Sequence, residues 1–239
     1  KMYEFKTEPY QHQQLAYDNS WQTPAYALFM EMGTGKTKVA IDTMGTLFTE
    51  GKINTALIIA PKGVYSNWVN KEIPQHLSDN VKVDLLLWQP NQTQKFKKRL
   101  TEVARGTDNS VLRILVMNTE ALSTQKGTKV AQRFLEVNPD NFVVVDESTS
   151  IKNRNAQRTK NIVKLGKVAK YKRILTGSPI TKNPMDLYAQ CEFLGSSLLG
   201  FESYYAFQGR YAVVQQRKFG ARSFQQITGY RNLEELNQK

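Results

Sequence analysis

A glycine-containing loop near the start of the chain has the residue types that bind nucleotide phosphates. The stretch MEMGTGKT occupies residues 30–37, and it ends as the phosphate-loop pattern G-x-x-x-x-G-K-[ST] ends, although Met30 stands where that pattern has its first glycine. Glycine lets backbone N–H groups turn towards an anion, lysine reaches the β- and γ-phosphates, and a threonine hydroxyl can bind Mg²⁺. The predicted phosphate-binding residues are Met32, Gly33, Thr34, Gly35, Lys36 and Thr37. The alternative is a glycine turn that caps a helix, with Lys36 in solvent.

An acidic pair at the end of an apolar run has the complementary chemistry. In NFVVVDEST, residues 141–149, Asp146 and Glu147 follow the apolar residues directly. Asp146 would hold Mg²⁺ through water, and Glu147 would orient and deprotonate an attacking water molecule. An acidic pair that merely ends a strand is the alternative. Together, the loop and the pair predict a site for ATP or GTP hydrolysis with Lys36, Asp146 and Glu147 as catalytic residues.

These residues must be positioned by the elements on either side of them. Six apolar runs predict strands, and most of them are near-continuously apolar, as in strands buried on both faces of a parallel sheet. The runs are 26–30, 55–60, 82–88, 113–118, 141–146 and 173–177. Predicted helices lie between them at 36–49, 63–75, 92–105, 126–136 and 155–164. This alternation predicts an α/β fold with a doubly wound, mostly parallel sheet, helices on both faces, and ligands at the carboxyl edge of the strands.

The alternation stops near residue 183. The segments NPMDLYAQCEFL, at 183–194, and FESYYAF, at 201–207, predict helices, and residues 210–230 predict a hairpin around Gly220. We therefore expect a lobe at 1–195 and a helical and hairpin extension at 196–239. The final RNLEELNQK begins a helical pattern, which indicates that the chain is a fragment.

Composition narrows the classes of partner and site. The net charge of +12 and the pI of about 9.6 indicate a polyanionic partner, most often nucleic acid, although a basic surface without such a partner is the alternative. One cysteine and two histidines exclude a disulfide framework and argue against a cysteine- or histidine-rich metal site. No apolar run reaches the roughly 20 residues that span a bilayer. We expect a monomer in a reducing, intracellular compartment, cytoplasmic or host cytoplasm, with no membrane partner.

Six segments in order resemble the motifs of one family, the N-terminal motor domain of superfamily-two helicases, specifically the Swi/Snf-type DNA translocases of phage or bacterial type. EPYQHQQ (8–14) resembles the Q motif, MEMGTGKT motif I, and ALIIAPKGVYSNWVNKEI (56–73) motif Ia. ILVMNTEAL (114–122) resembles motif Ib, VVVDESTSIKN (143–153) motif II, and RILTGSPITKNPMDLYAQCEFL (173–194) motif III. The resemblance covers roughly residues 5–195. Motif II departs from the family, since Ser148 and Thr149 replace its usual residues.

The resemblance implies a RecA-like fold and specific roles for matching residues. ATP and Mg²⁺ are the implied cofactors, with Gln11 reading adenine. Duplex DNA, without sequence specificity, is the implied partner, with Lys62 and Thr119 on its phosphates and Thr176, Gly177 and Ser178 coupling ATP to movement of a second lobe. The family's second motor lobe, with its arginine finger, has no counterpart in this chain. We therefore expect the chain alone to hydrolyse ATP slowly or not at all.

A basic run stands apart from the motifs. Between Lys152 and Arg173 there are nine lysines and arginines and no acidic residue: Lys152, Arg154, Arg158, Lys160, Lys164, Lys167, Lys170, Lys172 and Arg173. This run is typical of a surface that contacts a phosphate backbone, and a solvated helix face is the alternative.

Three other functions stay open from the sequence alone. The first is a helicase that separates strands of DNA or RNA. The second is a nucleic-acid binding module that keeps the fold without catalysis. The third, a small-molecule phosphate-loop kinase, leaves the ordered later motifs unexplained.

Overall fold

The central sheet has six strands, all parallel, in the order β1-β6-β5-β2-β4-β3. The computed structural model describes residues 2–29, 35–146, 156–177, 185–195, 212–219 and 222–230. The strands are β1 Ala25–Phe29, β2 Thr55–Ala60, β3 Lys82–Leu87, β4 Val111–Asn118, β5 Asn141–Asp146 and β6 Tyr171–Thr176. Each corresponds to one predicted apolar run, so the predicted α/β fold with a parallel sheet is confirmed.

Helices connect the strands. They are α1 Gln11–Ser20, α2 Lys36–Thr49, α3 Tyr65–Asn67, α4 Ile73–His76, α5 Gln94–Arg105, α6 Gln125–Val137, α7 Gln157–Gly166 and α8 Met185–Leu194. A π-helical turn, Trp68–Glu72, joins α3 to α4, and a 3-10 turn spans Thr119–Ser123. The helices predicted at 36–49, 92–105, 126–136, 155–164 and 183–194 correspond to α2, α5, α6, α7 and α8, whereas α1 was not predicted as a helix. None of the described helices is long and apolar enough to cross a membrane.

The apolar strands are buried because helices cover both faces of the sheet. In β2, Leu57 and Ile59 join a core cluster that also contains residues of α5, α6, α7 and α8. Their neighbours Ala56 and Ile58 point to the opposite face and join a second cluster with residues of α2 and α4. Alternate residues therefore bury on opposite faces, which is why the run shows no polar alternation.

The predicted helix at 63–75 is interrupted by a wider turn. Pro74 has no N–H, and in a regular α-helix its ring would clash with the carbonyl of residue 70. The chain forms a π-helical turn just before it, in which the N–H of Ile73 bonds the carbonyl of Trp68, five residues earlier. This local change places the start of the wide turn at Trp68, a residue of the site described below.

The last strands form a separate pair. β7 Ala212–Phe219 and β8 Arg222–Tyr230 are antiparallel, with an irregularity between Val213 and Val214. The predicted hairpin around Gly220 is thus confirmed, although Gly220 itself, the predicted helix at 201–207 and the final helical pattern lie outside the described residues.

Candidate functional site

The strand register places the predicted site residues at one edge of the sheet. Phe29, the last residue of β1, pairs with Thr176 of β6, and Leu175 of β6 pairs with Asp146 of β5. Adjacent strands lie about 4.8 Å apart. The ends of β1, β6 and β5, at Phe29, Thr176 and Asp146, therefore occupy three neighbouring positions at the carboxyl edge, where ligands of such sheets bind.

Gly35 forms the junction between the phosphate loop and α2. Its backbone is left-handed, with φ of 80° and ψ of 34°, and it caps the helix that begins at Lys36. A residue with a side chain is strained in this conformation. Lys36 and Thr37 are the first two residues of the helix, and both are partly exposed. The amino end of α2, which is the positive end of the helix dipole, thus begins directly after Gly35, and such an end favours anion binding.

Gln13 of α1 supports this junction, a contact that the sequence did not reveal. Its side chain is 5 % exposed, its Oε1 accepts the backbone N–H of Tyr10 at 2.8 Å, and its Nε2 donates to the carbonyl of Gly35 at 3.3 Å. A Cβ atom on Gly35 would lie 1.8 Å from that Nε2. Two independent features therefore favour glycine at position 35, the left-handed backbone and the close approach of Gln13.

The helical spacing of α1 contained the signal for Gln13. Gln13, Ala16, Tyr17 and Ser20 are spaced i, i+3, i+4 and i+7, and this is the face that packs inward. Gln11 is the first residue of α1 and is exposed. Its predicted role as the adenine reader stays a prediction.

Asp146 ends β5 as a buried carboxylate. It is 7 % exposed, and its Oδ2 accepts a hydrogen bond of 2.9 Å from Nε1 of Trp68, which is 2 % exposed. The carboxylate is thus ordered by a residue of the segment that resembles motif Ia.

Lys38, two residues beyond Lys36, serves the packing of α2. Its ammonium contacts Asp42 at 2.6 Å, and the hydroxyl of Tyr3 donates to the same carboxylate at 2.7 Å. Burial raises the pKa of Asp42 above its usual value, while the hydrogen bonds from Lys38 and Tyr3 lower it. This buried cluster connects the N-terminal segment to α2.

The predicted nucleic-acid contacts have different surroundings. Lys62 is exposed just after β2, at the same edge of the sheet as Asp146. Thr119 follows β4, but it is 1 % exposed and its hydroxyl has no hydrogen-bond partner within the part of the chain that the structure describes. Lys62 could therefore reach a phosphate as the structure stands, whereas the Thr119 hydroxyl could not.

The basic run is only partly a surface. Lys160, Lys164 and Lys167 are exposed along α7 and just beyond it. Arg173, by contrast, is 0 % exposed in β6, and its guanidinium donates to the carbonyl of Ser20 at 2.7 Å. Burial lowers the pKa of Arg173 to about 10. Arg173 is thus a structural residue, whereas the exposed members of the run, among the residues that the structure describes, are Lys160, Lys164, Lys167 and Lys170.

Several predicted residues lie outside the described ranges. They are Met32, Gly33, Thr34, Glu147, Lys152 and Ser178. Of the coupling motif, Thr176 is buried at the end of β6 and Gly177 is partly exposed.

The described residues fit a metal that is bound together with a nucleotide. Within these ranges, no group of three or more His, Cys, Asp or Glu side chains could hold a metal ion. Mg²⁺ commonly binds through one or two carboxylates plus substrate phosphates. The buried Asp146 carboxylate lies at the same sheet edge as the end of β1, the strand that precedes α2, and it matches that arrangement.

Comparisons with known proteins identify one matching family model and related proteins. A family model described as the SNF2-related domain matches residues 10–236. The chain is 30 % identical over 213 residues to the DNA annealing helicase and endonuclease ZRANB3 of Bos taurus, covering 87 % of this chain and 18 % of that protein. It is 26 % identical to the DNA repair and recombination protein RAD54B of Gallus gallus, covering 86 % of this chain and 21 % of that protein.

Two solved structures share the fold. The Sulfolobus solfataricus SWI2/SNF2 ATPase core in complex with double-stranded DNA matches with a TM-score of 0.66 and 22 % identity, covering 88 % of this chain and 40 % of that chain. The same core domain on its own matches with a TM-score of 0.60 and 23 % identity, covering 86 % and 40 %. The chain therefore spans about a fifth of the curated relatives and two fifths of these structures.

Proposed function

The chain belongs to the SNF2-related domain family, and we propose that it is the N-terminal lobe of an ATP-driven motor that translocates on duplex DNA. One observation carries the proposal. β1, the strand that precedes Gly35 and α2 in the chain, ends at the same edge of the sheet as the buried carboxylate of Asp146 in β5, and only β6 lies between these two strands. A phosphate-binding helix end next to an ordered carboxylate is what Mg²⁺-dependent cleavage of a nucleoside triphosphate requires.

The roles of the residues follow from their places. The N–H groups at the start of α2 bind phosphate oxygens, and Lys36 adds a positive charge there. Thr37 and Asp146 would hold Mg²⁺, Asp146 through water, and bound Mg²⁺ neutralises charge on the β- and γ-phosphates. Glu147, the next residue along, would orient and deprotonate the attacking water. Gln13 keeps Gly35 in place without touching the reacting atoms.

DNA is the proposed polymer. The relatives' names describe DNA repair and DNA annealing proteins, and the similar archaeal core was solved with double-stranded DNA. The net charge of +12 and the exposed Lys62 at the site edge fit a phosphate backbone, which such contacts grip without reading sequence. Lys152 and the backbone around Thr119 remain proposed contacts. A DNA substrate implies an intracellular location.

A second lobe is needed for turnover in this proposal. Arginines supplied across such a site accelerate phosphoryl transfer by about 10³–10⁵. Thr176, Gly177 and Ser178 would transmit the phosphate state to that lobe. We therefore propose that this chain alone hydrolyses ATP slowly or not at all, as a monomer whose lobe ends near residue 195 and whose extension leads to the second lobe.

Substitution of the phosphate-loop lysine tests the proposal. In the full-length protein, Lys36→Ala should abolish ATP hydrolysis, whereas Lys97→Ala, which removes an exposed lysine of α5, should leave it intact. Equal activity in both variants would contradict the assigned site.

The kind of movement needs its own assay. Displacement of a third strand from a DNA triplex, compared with unwinding of a forked duplex, separates translocation from strand separation. Triplex displacement without unwinding is the expected result, and unwinding of the fork would favour a helicase.

A further inference from the structure

One hydrogen bond joins two buried side chains that are 78 residues apart. Trp68 donates its indole N–H to Oδ2 of Asp146 at 2.9 Å. We propose that Trp68 is a positioning residue for magnesium, because its N–H holds the Asp146 carboxylate in the orientation that metal binding requires. The inference rests on the proposed function, since it assigns Asp146 to Mg²⁺.

The chemistry of the two groups favours orientation over mere contact. An indole N–H only donates, and an ionised carboxylate only accepts, so the direction of this bond cannot reverse. Rotation of a carboxylate about its terminal torsion is otherwise broad. A bond from a rigid ring to one oxygen limits that rotation and so sets where the second oxygen points. Since the exposed fractions are 2 % for Trp68 and 7 % for Asp146, water cannot easily take the place of the indole.

The chain holds Trp68 firmly in this position. Its ring belongs to the core cluster that includes Ile58, Ile73 and Val144. The π-helical turn begins at Trp68 itself, whose carbonyl accepts the N–H of Ile73. π-helical turns inside helices often occur at functional sites. The perturbation caused by Pro74 thus coincides with the residue that contacts Asp146.

A purely structural role for Trp68 predicts a different outcome, and the chain offers a matched control. Trp88 is 3 % exposed and belongs to the core cluster on the other face of the sheet. Loss of ring volume at Trp68 or at Trp88 should cost stability in a similar way. Only loss of the Trp68 N–H should change the response to Mg²⁺.

The test measures nucleotide binding, not turnover, in the full-length protein. A fluorescent ATP analogue is titrated in excess Mg²⁺ and again in EDTA, and the ratio of the two affinities is the gain due to the metal. Replacement of Trp68 by 3-benzothienylalanine exchanges the ring N–H for sulfur with almost no change of shape. Trp68→Phe and Trp88→Phe are measured beside it.

In the benzothienyl variant and in Trp68→Phe, the gain in affinity due to Mg²⁺ should be about tenfold smaller than in the wild type, the lower end of the effect of outer-shell hydrogen-bond partners on metal affinity. Their affinity in EDTA should match the wild type, and Trp88→Phe should keep the full gain. A benzothienyl variant with the wild-type gain would overturn the inference, as would an equal loss of affinity with and without Mg²⁺. A wild-type protein that binds no ATP, or gains nothing from Mg²⁺, would overturn the proposed function as well.

Discussion

Substitution of Gly35 by alanine tests the geometry of the phosphate loop. The alanine must adopt the φ of 80° that Gly35 has, and its Cβ would lie 1.8 Å from Gln13 Nε2. The left-handed conformation costs about 1–2 kcal/mol for a residue with a side chain. Gln13 must also move, which endangers its hydrogen bonds to Tyr10 and Gly35, each worth about 0.5–1.5 kcal/mol. We expect Gly35→Ala to lower the free energy of unfolding by about 2–5 kcal/mol.

Gly51 provides a matched control for the cost of placing alanine in a left-handed backbone conformation. Its φ is 73°, and a Cβ there would meet nothing within 4 Å. Gly51→Ala should therefore cost only the backbone strain, about 1–2 kcal/mol. Because all three atoms near the new Cβ of Gly35 belong to Gln13, the double variant Gly35→Ala/Gln13→Ala should cost less than the sum of the two single changes.

Urea unfolding without nucleotide measures these effects separately from ATP binding. The four variants, compared with wild type, form a double-mutant cycle at positions 13 and 35 with Gly51→Ala as the reference. Equal losses for Gly35→Ala and Gly51→Ala, together with additive effects in the cycle, would refute the contact between Gln13 and the loop.

Three further experiments, two substitutions and one chemical labelling, test other parts of the structure. Arg173→Met should cost about 3 kcal/mol in urea unfolding, because it removes a buried donor from the carbonyls of Ser20 and Trp21; a cost near zero would show that the guanidinium is dispensable. Burial and the Asp42 carboxylate raise the pKa of Tyr3. The contribution of Tyr3 to the free energy of unfolding is therefore complete below the pKa of about 10 that tyrosine has in the unfolded chain, and it is lost as the pH rises further. Tyr3→Phe should therefore be less stable than the wild type at neutral pH and should lose less stability than the wild type above about pH 10. The same decrease of unfolding free energy with pH in both proteins would argue against this. Burial raises the pKa of the Cys191 thiol to about 12, so Ellman's reagent should label it only after unfolding, and rapid labelling of the folded chain would contradict its burial.

The strands of the sheet could be predicted because each one has its own signal in a short stretch of sequence. Strands covered on both faces are apolar at nearly every position, so β2 appears in the sequence as the run TALIIA. The phosphate loop and Asp146 follow such runs directly, and parallel strands bring their carboxyl ends to one edge. Spacing and residue type alone therefore predicted that Asp146 and the end of β1 lie at one edge of the sheet.

The contacts that order the site were not accessible in this way. Gln13 meets Gly35 across 22 residues, and Trp68 meets Asp146 across 78. Neither pairing follows from periodicity, which reports which face a residue occupies but not what it touches there. Arg173 shows the same limit, since it belongs to a basic run in the sequence but is buried in β6, where carbonyls about 150 residues earlier accept its hydrogen bonds.

The rate of ATP hydrolysis by the full-length protein tests the central claim most directly. It is measured without polymer and with single-stranded DNA, duplex DNA and RNA, for wild type and for Lys36→Ala. A motor that translocates on duplex DNA should be stimulated most by duplex DNA, and Lys36→Ala should abolish the stimulated rate. Stimulation by RNA alone, or a stimulated rate that survives Lys36→Ala, would contradict the account.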